Sequence, residues 1–511
     1  MALILMLLVP GAVGLWLVTG GRALPSATAR TVALVAAVVG GLAAVTATVM
    51  RPVVDRAWIP DLGVRWHFEV DGVSAPLVVL TAVIGVLVVA HAWVERPWLD
   101  ASGGGGSDGR GSVRGSAATY LGCLLLVVAG AFAAFAARDA VLFFLAFEVV
   151  LVPMWVLIAR YGDPHSARAR ADASARFILY TAVGSTLMLV GILLLVTRAG
   201  TADLGELPAA AAALGTGEQT LVALLLTIGL AVKVPVFPLH TWLPAAHTTA
   251  PTAGSVLLAA VLLKLGTYGL VRLPLANVPD GFARIAPVLA IAGVVGILWG
   301  GLICLVERDL KRLIAYSSVA HMGFVVLGLA SGTETGVQAA LIGNIAHGVI
   351  SALLFVIVGG LKHRWGSVDL AVVRPALREA SPRLGFALIL GLAAGLGLPG
   401  LAGFWGELVA LLAAWNPAQH TGILRTCVVI AAVGAALAAA YSLRVARIVW
   451  VGERVADDEL EFAVAQTPDA RSVELGVMAV LGAAVVVIGV APWVVFSVTA
   501  DAVTTLVGGG R

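Results

Sequence analysis

Apolar stretches of about 20 residues recur along the whole chain and alternate with short polar joints. A helix of that length crosses roughly 30 Å of hydrocarbon. The pattern therefore predicts an all-α polytopic membrane protein with about 14 transmembrane helices. The first stretch, at about 2–20, has no basic leading segment and no clear small-residue cleavage site. We therefore expect it to be a retained helix and not a signal peptide.

Prolines interrupt two of these stretches, the seventh at about 219–248 and the twelfth at about 384–415. The breaks fall at Pro235 and Pro238 in the seventh stretch and at Pro399 in the twelfth. Proline lacks a backbone donor and clashes with the preceding turn, so each stretch should form two half-helices. The two breaks are five stretches apart, which predicts a five-helix repeat followed by an inverted copy of it.

This pattern divides the chain into four expected regions. They are three N-terminal helices with a Gly-rich linker (1–117), a first five-helix repeat (118–272), a second, inverted repeat (284–448), and a polar joint with a last helix (449–511). The linker reads DASGGGGSDGRGSVRGSAA at 100–118, a composition typical of flexible connections. We expect the core of the protein to lie in the two repeats.

Composition supports membrane insertion and suggests an orientation. The 511 residues are 60% hydrophobic and only 12% charged, far from the usage of a soluble domain. Lysine and arginine are concentrated in alternate joints, and such an excess marks the cytoplasmic side. Both termini are therefore expected to face outward, away from the cytoplasm. The net charge of +3 reflects this topology and gives no reason to expect nucleic-acid binding.

The cysteines and histidines do not suggest a metal or redox centre. Cys123, Cys304 and Cys427 each stand alone in an apolar stretch, without the paired spacing of an iron–sulfur, haem or zinc site. His240 and His247 could share a helix face, but no third ligand is evident. If the protein belongs to a redox system, its electrons are expected to travel in other chains.

The few lysines are placed unusually. There are four, Lys233, Lys264, Lys311 and Lys362, and the first two lie inside apolar stretches. All other basic residues that carry a permanent charge are arginines. Arginine stays protonated in proteins, whereas a desolvated lysine can release its proton. The sequence therefore puts lysine where titration within the membrane could matter.

Two carboxylates also lie well inside apolar stretches, Glu148 in FFLAFEVVLVPMW and Glu407 in GFWGELVALLAAW. An isolated ionised carboxylate in hydrocarbon is costly, so each should have a partner or stay protonated. Glu148 and Lys233 are the expected pair. The pair could couple to proton transfer, or it could only hold helices together as a structural ion pair.

Histidines occur between these charged groups along the chain. His347 shares a helical face with Asn344 and Ser351, which predicts a polar stripe, whereas His321 alone also fits a hydrogen-bonded helix contact. Each titratable residue lies on a different helix, as proton relay across a bilayer requires. The predicted row contains Glu148, Lys233, Lys264, His347 and Glu407.

Four segments carry a family resemblance. They are FEVVLVPMW (147–155), HTWLPAAHTTAPTAGSVLLAAVLLKLGTYGL (240–270), DLKRLIAYSSVAHMGFV (309–325) and LPGLAGFWGE (398–407). With these motifs, nearly the whole chain resembles the M-type antiporter-like subunit of the bacterial proton-pumping NADH:quinone oxidoreductase, respiratory complex I. The resemblance implies fourteen helices, two inverted five-helix repeats, and broken seventh and twelfth helices.

The resemblance also implies residue roles and partners. It assigns Glu148 as the acidic partner, Lys233 as the switching lysine, Lys264 as the central relay, His321 and His347 as connecting groups, and Glu407 as the distal residue. It implies proton translocation coupled to quinone reduction elsewhere, with flavin and iron–sulfur clusters in partner subunits and no cofactor or metal in this chain. The expected partners are other membrane subunits, including neighbouring antiporter-like subunits, and lipid.

The sequence differs from the usual family pattern at two places, and it leaves three other functions open. The family usually has LPDAHT where this chain has Ala245 in place of the acid, and the linker at 100–118 is not typical of the family. Sister subunits usually have lysine where this chain has Glu407, which favours the M type. The rivals are a subunit of a multisubunit sodium/proton antiporter, a subunit of a membrane-bound hydrogenase, and a passive membrane scaffold.

Overall fold

The computed structural model is predominantly helical. Among the residues that the structure describes, twelve helices are long and apolar enough to cross a membrane, which confirms an all-α polytopic membrane protein. The structure describes residues 1–99, 115–163, 166–452, 468–470 and 472–508. Residues 100–114 of the Gly-rich linker predicted at 100–118 lie outside the described residues. Most of the polar joint that follows residue 452 lies outside them as well.

The helices follow one another with short connections. The first ten are α1 (Ala2–Thr19), α2 (Ser26–Met50), α3 (Ala75–His91), α4 (Ala117–Ala136), α5 (Ala140–Val149), α6 (Leu151–Tyr161), α7 (Ala167–Ala199), α8 (Leu207–Ala211), α9 (Thr216–Lys233) and α10 (Trp242–Thr249). The others are α11 (Thr252–Leu257), α12 (Leu263–Leu270), α13 (Pro279–Val306), α14 (Leu310–Ala330), α15 (Glu334–Trp365), α16 (Leu377–Ala380), α17 (Pro382–Gly395), α18 (Ala402–Trp415), α19 (Thr421–Val445), α20 (Ser472–Val490) and α21 (Trp493–Gly508).

Three short π-helical segments extend or join these helices. Leu258–Leu262 joins α11 to α12, Val271–Leu275 continues α12, and Ala446–Val451 continues α19. With these segments, Thr252–Leu275 and Thr421–Val451 each form one candidate membrane span. π-Helical turns are rare and frequently occur at functional sites, and the first of them lies directly before Lys264.

Both proline breaks occur where the sequence predicts them. α9 ends at Lys233 and α10 begins at Trp242, while α17 ends at Gly395 and α18 begins at Ala402. A break leaves backbone carbonyls without helical partners, and at membrane depth such groups need other donors. Trp242 Nε1 donates to the Val232 carbonyl at 2.9 Å in the first break. The inverted repeat itself, and the four expected regions, stay predictions.

Two predicted stretches are further divided. The fifth, expected at about 139–159, consists of α5 and α6, which meet at Val150. Pro153 has no N–H to donate to the carbonyl four residues earlier, which accounts for the interruption there. The last stretch likewise consists of α20 and α21, and Pro492 lies between them. Neither division was predicted from the sequence, and α5 and α6 together still form one candidate membrane span, Ala140–Tyr161.

Two spans form the centre of the molecule. The most apolar windows of Thr252–Leu275 and Glu334–Trp365 are entirely buried, whereas those of α1 and the α19 span are 28% buried. The outer helices therefore present apolar side chains to their surroundings, as expected of a membrane protein. Lys264 and His347 lie on the two central spans, so the structure places titratable groups where burial is greatest.

A two-stranded hairpin is the small exception to the helical architecture. β1 (Ala57–Ile59) pairs antiparallel with β2 (Val64–Arg65) in the joint between α2 and α3. Asp139, which caps the start of α5, also accepts a hydrogen bond from the Arg65 backbone at 2.9 Å. The hairpin is thereby attached to the end of the helix bundle.

Asp71 joins this joint to the central span through ion pairs. Its carboxylate pairs with Arg272 and, at 2.9 Å, with Nη1 of Arg138. Burial raises the pKa of Asp71, but the charges of Arg272 and Arg138 and its hydrogen bonds outweigh burial and lower the pKa to about 2. Asp71 is therefore a charged anchor for the whole joint.

We expect Asp71→Asn to destabilise the protein by about 3 kcal/mol, because it leaves Arg272, with 6% of its side chain exposed, without its counter-charge. The stabilisation is present above the pKa of an unfolded aspartate and is lost as the pH falls through about 2. The measurement is the thermal unfolding midpoint at neutral pH. Asp61→Asn, at an exposed position in the same joint, is the control. Equal midpoints for the two variants would contradict the prediction.

Candidate functional site

The centre of the candidate site is a direct contact between the two central spans. Lys264 Nζ lies 2.5 Å from His347 Nδ1 and donates to the Ala259 carbonyl at 2.7 Å. Lys264 is fully buried and His347 is 4% exposed. His347 Nε2 lies 3.1 Å from Ser351 Oγ. One proton can therefore be held by the lysine or passed to the imidazole, with a hydroxyl group on the other ring nitrogen.

The predicted polar stripe on α15 is present and extends to the neighbouring span. Thr267 donates to Asn344 Oδ1 at 3.0 Å, one helical turn from the contact between Lys264 and His347. Ser351 continues the stripe in the other direction. These hydroxyl and amide groups supply hydrogen-bonding partners in a region that is otherwise apolar.

His321 links this pair to Glu407. The rings of His321 and His347 are 5.8 Å apart between centroids, and His321 Nε2 lies 3.5 Å from Glu407 Oε1. His321 also places Nδ1 2.7 Å from the Ser317 carbonyl and Nε2 2.8 Å from the Gly395 carbonyl. Carbonyl oxygens only accept hydrogen bonds, so each ring nitrogen that carries a proton donates to the carbonyl that it faces. His321 therefore lies between two backbone acceptors and the Glu407 carboxyl group.

A small cavity lies beside Glu407 and His321. Its volume is about 30 Å³, and its polar lining includes Ser317, Ser351 and Tyr441. Among the described residues, Glu407 Oε1 and the Tyr441 hydroxyl are buried and have no hydrogen-bond partner. A cavity of this size and polarity can hold water, which would supply the missing partners. The distal carboxylate is therefore placed where water can exchange protons with it.

Glu148 and Lys233 are near each other without forming a direct ion pair. No nitrogen–oxygen contact within 4.0 Å joins them in the part of the chain that the structure describes. Lys233 is 2% exposed, and its ammonium group lies over the rings of Phe147 at 4.9 Å and Phe177 at 5.6 Å. Glu148 still acts on Lys233 through space. The expected contact pair is thus open in this conformation, and the aromatic rings hold the cation.

The structure brings together four of the six predicted site residues. Lys264, His347, His321 and Glu407 form one connected row. Lys233 lies at the end of α9 and Glu148 one residue before the end of α5, so both adjoin helix interruptions. Pro235 and Pro238 lie in the first break and Pro399 in the second, as predicted. Pro238 follows a cis peptide bond.

Lys311 and His247 are two buried groups that the sequence analysis did not place in the site. Lys311 is 4% exposed, and its Nζ donates to the Ala250 carbonyl at 2.5 Å. His247 is fully buried and stacks on Phe355 with centroids 4.5 Å apart. Within the described residues, neither ring nitrogen of His247 has a hydrogen-bond partner. The charges of both Lys311 and Lys264 act on His247.

A large cavity reaches Lys311 from the end of the bundle. It has a volume of about 540 Å³, and its charged lining includes Glu95, Asp163, Lys311 and Lys362. Lys362 pairs with Asp163. Burial raises the pKa of Glu95, but His91, the Thr252 N–H and Lys311 lower it to about 2. Glu95 is therefore a carboxylate facing the same cavity as Lys311.

Sequence signals for these two groups existed but were ambiguous. Lys311 follows the charged joint at 307–309, so its position predicts a surface residue. His247 suggested only a metal ligand paired with His240. Among the described residues, no group of three or more His, Cys, Asp or Glu side chains is placed to hold a metal ion. Burial of Lys311 depends on packing against α10, which a single sequence does not reveal.

Comparisons with known proteins agree with this architecture. Residues 137–433 match the family described as NADH:quinone oxidoreductase/Mrp antiporter, TM. The chain is 36% identical over 444 residues to NAD(P)H-quinone oxidoreductase chain 4 1 of a Nostoc species, which covers 85% of this chain and 76% of that protein. It is 38% identical over 405 residues to the protein of the same name from Synechococcus sp. (strain JA-3-3Ab), covering 78% and 71%.

Two solved structures share the fold. A chain of respiratory complex I from Thermus thermophilus with bound NADH is 26% identical, with a TM-score of 0.82, and each chain is covered completely. A chain of the Mrp complex from Dietzia sp. DQ12-45-1b is 24% identical, with a TM-score of 0.83, covering 99% of this chain and 52% of that chain. The second likeness concerns the fold alone.

Proposed function

Because this chain belongs to the NADH:quinone oxidoreductase/Mrp antiporter transmembrane family, we propose that it is the M-type, proton-translocating membrane subunit of a bacterial NADH:quinone oxidoreductase. The name of its relatives, NAD(P)H-quinone oxidoreductase chain 4, supports this assignment. The acid at position 407 supports the M type over the sister subunits. The protein acts as part of an oxidoreductase complex.

The observation that carries the proposal is the continuous row from Lys264 to Glu407. Lys264 and His347 are in hydrogen-bonding contact, His321 follows at 5.8 Å between ring centroids, and Glu407 lies 3.5 Å from His321. Each group can take up and release a proton. Rotation of one imidazole, or one water in the gap between the rings, would complete a path for protons along the membrane plane.

Protons reach this row from the large cavity through Lys311 and His247. Glu95 and the pair of Lys362 and Asp163 surround the mouth of the path, where exposed charges keep water close. Lys311 lines this cavity, and the buried His247, on which the charges of Lys311 and Lys264 both act, would pass protons from one lysine to the other. We assign this end of the bundle to the cytoplasmic side because the basic joints cluster there, so both termini face outward.

Glu148 and Lys233 provide the coupling to the rest of the complex. A nearby carboxylate favours the protonated lysine, and its withdrawal favours proton release. Charge movement in a neighbouring subunit would change the separation or charge of Glu148 and drive the proton of Lys233 toward Lys264. The open arrangement of this pair supports the proposal, because a switch needs a state in which the ion pair is not formed.

The partners of this chain are other membrane subunits of the complex, including neighbouring antiporter-like subunits. Flavin and iron–sulfur clusters belong to partner subunits, and this chain holds no redox centre. The two five-helix repeats, 118–272 and 284–448, provide the two halves of the path. Glu407 and the water cavity beside it form the distal end, from which protons leave toward the outer face.

The test is NADH-driven proton uptake by inverted membrane vesicles that carry Glu148→Gln. The amide keeps the shape of the side chain and removes its charge, so proton uptake and coupled NADH oxidation should fall severalfold while the complex still assembles. If the charge of Glu148 stabilises the protonated form of Lys233 by about 1.4 kcal/mol, its removal changes the protonation equilibrium of Lys233 about tenfold.

Glu218→Gln is the matched control, since Glu218 is a half-exposed carboxylate in the first turn of α9, the helix that ends at Lys233. It should leave uptake per NADH at the parental level. If Glu148→Gln also leaves that ratio unchanged in an assembled complex, the carboxylate is only structural and the coupling proposed here is wrong.

A further inference from the structure

A groove rich in arginine lies where several spanning helices end. It is formed by Leu370–Arg374 and by the segment from Arg444 to Gly452, and we name it the basic groove. Its volume is about 490 Å³, within the range of roughly 300–1,000 Å³ typical of ligand sites. Arg374, Arg444 and Arg447 line it, and its described lining contains no carboxylate. The described part of the groove therefore presents three guanidinium groups to a ligand.

Two of the three guanidinium groups are held in place by the backbone. Arg374 lies 4.5 Å over the Trp365 ring and donates to the Asp369 carbonyl at 2.8 Å. Arg444 donates through Nη1 to the Glu307 carbonyl at 2.9 Å. Within the described residues, the exposed side chain of Arg447 makes no hydrogen bond or ion pair. Fixed guanidinium groups with remaining N–H donors are well suited to phosphate.

The rim of the basic groove is apolar. Val372, Val373, Leu443 and Val451 are 49%, 63%, 64% and 44% exposed. The groove adjoins the beginning of α14, the end of α15 and the end of the α19 span. It therefore lies at the level where hydrocarbon meets the polar headgroups, and Trp365 is a residue type typical of that level.

We propose that the basic groove binds the headgroup phosphate of an anionic phospholipid, with its acyl chains against the apolar rim. The arginines favour a ligand with a negative charge, and the exposed valine and leucine side chains favour a ligand that also has an apolar part. A free phosphate ion would satisfy only the arginines. A lipid satisfies both parts of the surface and replaces water on apolar side chains that would otherwise remain exposed.

The test is photo-crosslinking in the intact complex, reconstituted in vesicles that contain a trace of photoactivatable phosphatidylglycerol. Labelled peptides should include residues 370–374 or 443–452. Excess phosphatidylglycerol should compete for the labelling, whereas phosphatidylcholine and inorganic phosphate should not. Arg447→Gln should reduce labelling about fivefold, because each basic residue near a membrane surface contributes to binding of an anionic lipid.

Arg168→Gln is the matched control, because Arg168 is an exposed arginine of α7 outside the groove. It should leave labelling of the groove unchanged. Absence of labelling in the parent complex would overturn the proposal and would mean that another part of this chain or a neighbouring subunit covers the groove. Equal labelling of Arg447→Gln, or competition by inorganic phosphate as effective as that by phosphatidylglycerol, would overturn it as well.

Discussion

Replacing Lys264 by methionine is expected to reduce NADH-driven proton uptake by inverted vesicles at least about 100-fold, since one positioned proton-transfer group typically contributes that much. Lys264 is fully buried and shares a 2.5 Å contact with His347, so in the proposed mechanism it is the point where the supply path and the distal row meet. Methionine keeps the length and apolar stem of the side chain and removes its proton. Proton uptake, NADH oxidation and complex assembly should be measured together.

Lys264→Arg distinguishes proton transfer from charge alone. Arginine keeps the positive charge but does not release its proton, so this variant should also lose proton uptake. A passive scaffold needs only the charge or the packing. If the protein were a passive scaffold, assembled complexes with either variant would pump normally. Such a result would exclude proton relay through Lys264.

Replacing Lys311 by methionine is expected to reduce proton uptake about tenfold at neutral pH. Lys311 lines the 540 Å³ cavity, and its charge acts on the buried ring of His247. In the proposed path, its loss should therefore make the supply of protons to Lys264 rate-limiting. Acidifying the medium outside inverted vesicles raises the supply on the cytoplasmic side. Proton uptake by Lys311→Met should therefore recover as the pH falls.

Lys264→Met provides the comparison, because its defect lies beyond the supply step and acidification should not correct it. Lys311→Arg should behave like Lys311→Met, since arginine can also donate to the Ala250 carbonyl but does not release a proton. If Lys311→Met pumps at the parental rate at all pH values, protons reach Lys264 by another path.

Much of the fold could be predicted from the sequence because hydrocarbon imposes simple rules. Apolar length predicted the spanning helices, and proline predicted both breaks, since each rule depends only on local chemistry. The turn at Val150, inside the single candidate span Ala140–Tyr161, and the break at Pro492 were not predicted, because a proline near a helix terminus has no single structural consequence. The short hairpin at 57–65 was missed because its strands are only three and two residues long.

The candidate site was predicted unevenly for a related reason. Lys264, His347 and Glu407 stood out because a titratable group in an apolar stretch is rare. Lys311 is equally buried, yet a charged joint precedes it and conceals that fact in the sequence. The contact between Lys264 and His347 joins residues 83 positions apart, which depends on how the two central spans pack. A single sequence contains the groups but not their distances.

The donors at the two helix breaks differ in one property. In the first break the donor is the Trp242 indole N–H, which does not titrate. In the second, the donor to the Gly395 carbonyl is Nε2 of His321, which is also the atom facing Glu407. If His321 gives up that proton, the last carbonyl of α17 loses its partner at the same moment. In the proposed mechanism, the hydrogen bond at the second break therefore depends on the proton of His321, whereas the indole hydrogen bond at the first break does not change with protonation.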